Sequence, residues 1–249
     1  MNIKPIASVA LISAVALAFS GCASEGGAAG KTLTGSGASS QAAAQAAWTA
    51  AFQTANQGVT VNYSAEGSGA GRSAFTAGAA DFAGSDRPLK DEEMGAGKFA
   101  GCAADSNALN LPVYISPIAV VFNVDGVTAL QFSPDTLAKI FAGQIKSWDD
   151  PAIAKDNPDA KLPAGLAITA VHRSDDSGTT NNFTDTLNKL APSVWTEAAS
   201  DTFPAAFGGE AADKTAGVIN AVTNGKGTIG YADASAAGSL GKASILVGG

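Results

Sequence analysis

The chain has 249 residues, of which 46% are hydrophobic and 15% are charged, and this composition excludes disordered, collagen-like and highly charged filamentous proteins. Its 15 basic and 22 acidic residues give a net charge of −7 without any block of lysine or arginine, so no nucleic-acid partner is expected. Cysteine occurs only at Cys22 and Cys102, which excludes a disulfide framework and a repeated zinc-ligand spacing.

The N-terminus has the pattern of an export signal. Lys4 precedes an apolar run over residues 6–19, which is shorter than the roughly 20 residues that span a bilayer. A pair of small residues and then Cys22 follow this run, an arrangement that resembles a bacterial lipobox. We therefore predict a lipoprotein signal peptide over residues 1–21, a lipidated Cys22 and a flexible tether over residues 22–31. An ordinary signal peptide followed by a buried cysteine is the alternative.

Helix and strand signals alternate along the rest of the chain. Apolar residues at helical spacing and helix-start signals predict helices over residues 41–55, up to residue 75, from residues 91–93, and over residues 133–143, 179–190 and 215–222. Alternating or β-branched apolar runs predict strands over residues 31–34, 59–63, 81–85, 111–124 and 166–171, and one ending at residue 231. This alternation is typical of an α/β fold with mainly parallel sheets.

Two proline-containing stretches receive particular predictions. The apolar stretch Leu111–Val124 contains Pro112 and Pro117, and prolines favour an edge strand or a strand that crosses between domains. The stretch Asp149–Pro163 is polar and contains three prolines, which predicts a loop.

Three polar, glycine-containing turns each lie between a predicted strand and a predicted helix, at residues 34–40, 66–71 and 172–180. Each turn would place backbone N–H groups and hydroxyls at the positive end of a helix, where proteins bind oxyanions with few cations. A single turn of this kind is most often only a helix cap. Three of them in one chain, with Arg173 in the third, favour an oxyanion site.

A fourth polar element, Asp81–Asp86, ends a predicted strand with a carboxylate. The same sheet edge would direct the carboxylate of Asp86 into the cleft, and a helix or turn cap is the alternative interpretation. These segments together resemble the phosphate-binding protein of the bacterial phosphate ABC importer. The matching stretches follow the order of that family, at residues 33–40, 66–71, 81–89, 111–123, 172–183 and 227–231.

The resemblance implies an α/β, two-lobed periplasmic-binding-protein architecture of type II. Its mixed, mainly parallel sheets would be flanked by helices, with the ligand cleft between the lobes. The implied function is high-affinity extracytoplasmic binding of inorganic phosphate and delivery to the transmembrane subunits of an ABC permease with a cytoplasmic ATPase. The implied protein is a monomer without cofactor, metal or catalytic residue, exported and lipid-anchored to the outer face of the bacterial cytoplasmic membrane.

The resemblance also assigns roles to individual residues. It implies that phosphate is bound by Ser39, Ser40, Ser68, Asp86, Arg173, Ser177, Gly178 and Thr179, and that Asp175 orients Arg173. Only the backbone N–H of Ser40 is implied, because the family usually has a bulkier residue there. Asp176 stands where the family usually has glycine, which adds a negative charge beside the site.

The chemistry of Asp86 and Arg173 predicts which anion is preferred. An ionised carboxylate only accepts hydrogen bonds, so Asp86 requires a proton on the ligand, which phosphate carries near neutral pH and sulfate lacks. Sites that leave such a group unpaired reject analogues by roughly 10⁴-fold or more. The guanidinium of Arg173 would add a positive charge and two parallel N–H donors to the ligand.

The resemblance places the first lobe over residues 32–112, the second over 113–231 and the start of a return segment over 232–249. Family members are usually longer, with a return segment that completes the first sheet, and the resemblance implies that this completing C-terminal segment is missing here. The first lobe is therefore expected to expose a sheet edge and an apolar face.

Two other functions remain open. One is a receptor for another tetrahedral oxyanion, and the other is an exported phosphatase-like enzyme on the same scaffold. His172, Asp175 and Ser177 are the residue types of a hydrolase triad, but they crowd into six positions without a nucleophile elbow. The aspartates of the 149–159 region could suggest calcium, but prolines interrupt them and no glutamate closes a binding loop.

Overall fold

The computed structural model describes residues 30–246, which form two sheets. The predicted signal peptide, Cys22 and nearly all of the predicted tether lie outside the described residues. Within residues 30–246, each helix is too short or too polar to span a membrane.

The N-terminal lobe is built on three parallel strands in the order β2-β1-β3. Its strands are β1 (Lys31–Gly37), β2 (Val59–Ser64) and β3 (Phe82–Gly84), and its helices are α1 (Ala42–Ala55) and α2 (Ser68–Thr76). Each helix begins just after a strand, so two helix N-termini lie at the same edge of the sheet. Helix α1 leaves Trp48 and Phe52 about two-fifths exposed.

The C-terminal lobe is built on six strands in the order β5-β9-β4-β8-β6-β7. The strands are β4 (Ile118–Asn123), β5 (Ala129–Phe132), β6 (Thr169–Arg173), β7 (Glu210–Ala212), β8 (Thr228–Asp233) and β9 (Gly241–Ile245). The helices are α3 (Pro134–Phe141), α4 (Pro151–Asp156), α5 (Gly178–Leu190) and α6 (Lys214–Asn224). The predicted α/β, two-lobed architecture is confirmed.

The core of the C-terminal lobe lies on both faces of its sheet. One face carries a large aromatic cluster in which Trp148, Trp195 and Tyr231 are fully buried. The opposite face packs against α6 through Val218 and Val222. Removing these side chains from water stabilises the lobe by about 25 cal/mol per Å² of buried apolar area.

The prediction of an edge strand over the whole of Leu111–Val124 is wrong. Only Ile118–Asn123 is a strand, and β4 is paired on both sides, with β8 and with β9. Both prolines precede the strand, so they remove no hydrogen bond from the interior of the sheet.

The predicted loop at Asp149–Pro163 is also partly wrong, because it contains the short helix α4. Asp150 caps this helix by accepting the N–H of Ala152 at 2.8 Å. Pro151 occupies the first helical position, where its missing N–H costs nothing. The acidic segment Asp91–Glu93 forms a single 3₁₀ turn and not a longer helix.

Three short strands escaped prediction, namely β5, β7 and β9. Strand β9 lies between β4 and β5 in the sheet of the C-terminal lobe. The predicted lobe boundaries and the return segment stay predictions.

Candidate functional site

Helix N-termini from both lobes meet at the cleft. The first turn runs from β1 through a 3₁₀ turn at Ser39–Gln41 into α1, and the second turn leads into α2 at Ser68. The third turn leads into α5, whose cap is Ser177. The lobes touch here, since the N–H of Gly69 donates to the carbonyl of Asp176 at 3.0 Å. The three turns predicted from the sequence therefore converge in space.

Asp86 makes a hydrogen bond to one residue of each of the three turns. Its Oδ1 accepts the hydroxyl of Ser40 at 2.6 Å, and its Oδ2 accepts the hydroxyl of Thr179 at 2.8 Å. Its backbone N–H donates to Ser68 Oγ at 3.2 Å, and its carbonyl accepts Asn182 Nδ2 at 2.8 Å. The carboxylate thus binds one hydroxyl from each lobe and keeps acceptor capacity for a further donor.

Gly178 allows this close approach of the lobes. A Cβ at this position would lie 2.8 Å from Asp86 Cβ and 2.8 Å from Ser68 Oγ. Real Cβ atoms do not approach so closely, so any other residue would push α5 away from Asp86.

Arg173 is held by Asp175 near the same turn. Its Nε donates to Asp175 Oδ1 at 2.6 Å and its Nη2 donates to Asp175 Oδ2, and Arg173 is only 4% exposed. Burial opposes ionisation of Asp175, but the hydrogen bonds and charge of Arg173 outweigh burial and hold the pKa of this carboxyl below its ordinary value. The pair therefore stays ionised and fixes the plane of the guanidinium.

The hydroxyls of Ser39 and Ser177 have other partners. Ser39 Oγ lies 3.0 Å from Thr215 Oγ1 and accepts the N–H of Thr215 at 3.1 Å, across the cleft at the start of α6. Ser177 Oγ accepts the N–H of Thr180 at 3.1 Å as the cap of α5. Both hydroxyls satisfy helix N-termini in this arrangement of the lobes.

A cavity of about 370 Å³ adjoins Asp86. Ser40, Asp86 and Thr179 are the predicted site residues that line it. The other lining residues, which sequence reasoning missed, are Gln41, Ser85, Tyr114, Ser116, Ile118, Asn182, Thr186 and Asp233. Asn182 could have been found, because it lies one helical turn after Gly178 and therefore on the same side of α5.

Asp176 does not direct its carboxylate to Asp86. Its Oδ1 accepts the hydroxyl of Thr202 at 3.0 Å, while its carbonyl accepts Gly69. The carboxylate of Asp176 is thus held by a hydroxyl of its own lobe.

The candidate triad residues have separate partners. The ring of His172 stacks on Phe203 with centroids 4.3 Å apart, Asp175 pairs with Arg173, and Ser177 caps α5. This arrangement gives no support to nucleophilic catalysis. Among residues 30–246 no group of three or more His, Cys, Asp or Glu side chains could hold a metal ion.

The family model described as a PBP superfamily domain matches residues 23–246. The chain belongs to the PBP superfamily. Phosphate-binding protein PstS 3 of Mycobacterium tuberculosis is 40% identical to this chain over 243 residues, which covers 90% of this chain and 64% of that relative. The chain therefore spans slightly less than two thirds of the length of this curated relative.

Two solved structures have a similar fold. A putative phosphate ABC transporter substrate-binding protein with bound phosphate from Clostridium perfringens has a TM-score of 0.63 at 20% identity, covering 86% of this chain and 76% of that chain. The high affinity periplasmic phosphate-binding protein PfluDING, bound with phosphate, has a TM-score of 0.63 at 26% identity, covering 87% of this chain and 62% of that chain. The resemblance to phosphate-binding proteins that the sequence motifs indicate is confirmed.

Proposed function

We propose that this protein binds inorganic phosphate outside the cytoplasm and delivers it to an ABC permease, without chemistry on the ligand. The observation that supports this most directly is the position of Asp86, an acceptor carboxylate at the meeting point of helix N-termini from both lobes. Helix N-termini favour an anion. The acceptor carboxylate favours an anion that still carries a proton.

Each site residue has a proposed role. Thr179 would turn its hydroxyl from Asp86 to a phosphate oxygen, and Ser68, whose oxygen accepts the N–H of Asp86, would donate its own hydroxyl proton. Ser40 would donate its backbone N–H, and Ser39, Ser177 and Gly178 would donate from the turns. Asp86 would accept the phosphate O–H. Arg173, held by Asp175, would supply the positive charge.

The proposed setting is the outer face of the bacterial cytoplasmic membrane. A lipid on Cys22 would anchor a monomer there beside the permease, and the small-residue segment that follows would act as the tether. A Cys22→Ser variant should be secreted without lipid, while the parent stays with the membrane fraction. Equal membrane retention of both would contradict the proposed anchor.

The deciding experiment is a calorimetric titration of the full chain, expressed with its leader and with Cys22→Ser to avoid lipid. We expect tight one-to-one binding of phosphate and no competition by sulfate in large excess. Binding of sulfate with similar affinity would favour a receptor for another tetrahedral oxyanion. Turnover of a chromogenic phosphate ester by the same sample would favour the phosphatase-like alternative.

A further inference from the structure

A group of four charged side chains joins the lobes outside the cavity. Arg72 on α2, Arg87 directly after Asp86, and Glu93 belong to the N-terminal lobe, and Asp201 belongs to the segment between α5 and β7 of the C-terminal lobe. We call these residues the interlobe ion cluster. It lies apart from the Arg173–Asp175 pair.

Asp201 receives both guanidinium groups. Arg87 donates its Nε to Asp201 Oδ1 at 2.9 Å and its Nη2 to Asp201 Oδ2 at 2.9 Å, and Arg72 Nη2 donates to the same Oδ2. Arg87 also donates to Glu93, with Nη1 to Oε2 at 2.6 Å. The Arg72 and Arg87 side chains are only 8% and 9% exposed.

The charges balance only when the lobes are together. Two cations and one carboxylate of the cluster come from the N-terminal lobe, and the second carboxylate comes from the C-terminal lobe. Opening the cleft would separate Asp201 from both guanidiniums. The cluster therefore makes contacts in the closed arrangement that the open one lacks, and such a difference is what shifts a conformational equilibrium.

The cluster is connected to the anion site from both sides. In the C-terminal lobe, the carbonyl of Asp201 accepts the N–H of Ser177 at 2.9 Å, and Ser177 caps the helix that presents Gly178 and Thr179. In the N-terminal lobe, Arg72 Nη1 donates to Ser85 Oγ at 2.9 Å, and Ser85 precedes Asp86. One residue on each side thus separates the ion pairs from the groups around Asp86.

From these contacts we propose that Asp201 is a positioning residue for anion binding. Through Arg72 and Arg87, it holds the lobes closed and slows release of the bound anion. The part that concerns anion release rests on the proposed function, whereas the part that concerns closure does not. Because salt screens buried, bidentate ion pairs only weakly, Asp201 holds the lobes closed at physiological ionic strength as well.

The test compares Asp201→Asn with Asp185→Asn in the full chain carrying Cys22→Ser. Asp185 also pairs with a cation, but its partner Lys189 lies four residues away on the exposed face of α5 in the same lobe. Both variants remove one negative charge, so only the loss of a contact between lobes distinguishes them. Arg87→Gln provides a second disruption of the cluster in case Asp201→Asn does not fold.

Closure is measured first without phosphate, by the radius of gyration in small-angle X-ray scattering and by hydrogen exchange at the amide of Gly69, which bonds across the lobes. We expect Asp201→Asn to be more extended and to exchange this amide about tenfold faster, while Asp185→Asn matches the parent. Identical scattering and exchange in the parent and Asp201→Asn would overturn the proposal. If only Arg87→Gln folds, the same comparison with the parent decides.

Release is measured second, by chasing radiolabelled phosphate from the loaded protein. We expect Asp201→Asn to release phosphate about tenfold faster with little change in the association rate, because the cluster forms after the lobes have met. An effect on association alone would overturn the positioning role. Failure of every variant and the parent to bind phosphate would refute the proposed function, and the scattering and exchange comparison would still decide closure.

Discussion

Asp86 Oδ2 accepts the hydroxyl of Thr179 at 2.8 Å, although these residues lie 93 positions apart and on different lobes. Thr179 sits in the first turn of α5, so the same contact brings the positive end of that helix to the carboxylate. An anion that enters between them would meet an acceptor on one side and donors on the other.

Replacing Asp86 by asparagine should relax discrimination between phosphate and sulfate. The amide can donate to a fully ionised oxyanion, so the unpaired acceptor that excludes sulfate is lost. We expect phosphate to bind more weakly and sulfate to compete measurably in a calorimetric displacement titration. Asp105→Asn, at an exposed position of the chain, is the charge-matched control. A variant that still ignores sulfate would show that Asp86 does not set specificity.

Replacing Arg173 by lysine should weaken phosphate binding by roughly 10- to 100-fold, because an ammonium cannot reproduce the planar fork that Asp175 holds. Asp175→Asn should weaken binding in the same direction by releasing the guanidinium. Isothermal titration of both variants checks this. Parent-like affinity of Arg173→Lys would mean that the guanidinium lies away from the ligand.

Gly178→Ala should lower both stability and affinity. The new methyl group would meet Asp86 and Ser68 at about 2.8 Å, and such overpacking costs roughly 1–3 kcal/mol. Gly217→Ala in α6, where the nearest atom outside the helix backbone would lie 3.4 Å from the new Cβ, should be neutral or slightly stabilising because alanine favours helices. Urea unfolding with and without phosphate separates the two effects. Equal behaviour of the two variants would contradict the close approach at Gly178.

The stability of the closed protein should fall in acid through Glu93. Hydrogen bonds from Arg87 lower the pKa of Glu93 from 4.5 to about 2. Because the folded pKa lies below the unfolded one, this contribution is complete above pH 4.5 and is lost as the pH falls toward 2. Glu93→Gln should therefore flatten the decline of the unfolding free energy in that range, whereas Glu92→Gln, whose side chain is 73% exposed, should not. Parallel acid profiles for all three proteins would refute this assignment.

Phosphate affinity should depend only weakly on salt. The net charge of −7 offers no long-range attraction for an anion, so binding depends on short, desolvated hydrogen bonds that counterions do not screen. Titrations at low and at physiological ionic strength should give nearly the same dissociation constant. A steep loss of affinity with added salt would show that long-range steering contributes.

The turns of the site could be predicted because glycines and hydroxyl residues before an apolar helical pattern are local signals. Residues 34–40, 66–71 and 172–180 all adopt the expected strand–turn–helix form. Asp201 carried no such signal, since its importance depends on arginines more than 110 positions earlier in the chain. Contacts between lobes come from the tertiary arrangement, which local patterns do not encode.

The errors in the fold have a similar origin. Prolines favour an edge or crossing strand at Leu111–Val124 and a loop at Asp149–Pro163, but Pro117 lies one residue before β4 and Pro151 is the first residue of α4. Their positions one residue outside or at the first turn make them compatible with regular structure. Strand β9 has few β-branched residues, and its pairing with β4 and β5 stabilises it instead.

The three tryptophans differ in solvent exposure, so their intrinsic fluorescence can report on the cavity. Trp148 and Trp195 are sealed in the core of the C-terminal lobe, whereas Trp48 is 40% exposed and meets Tyr114 edge to face at 5.3 Å. Tyr114 in turn lines the cavity beside Asp86. A change in tryptophan fluorescence on ligand binding would therefore originate from Trp48. The Trp48→Phe variant would abolish this change and leave the residues of the anion site unaltered.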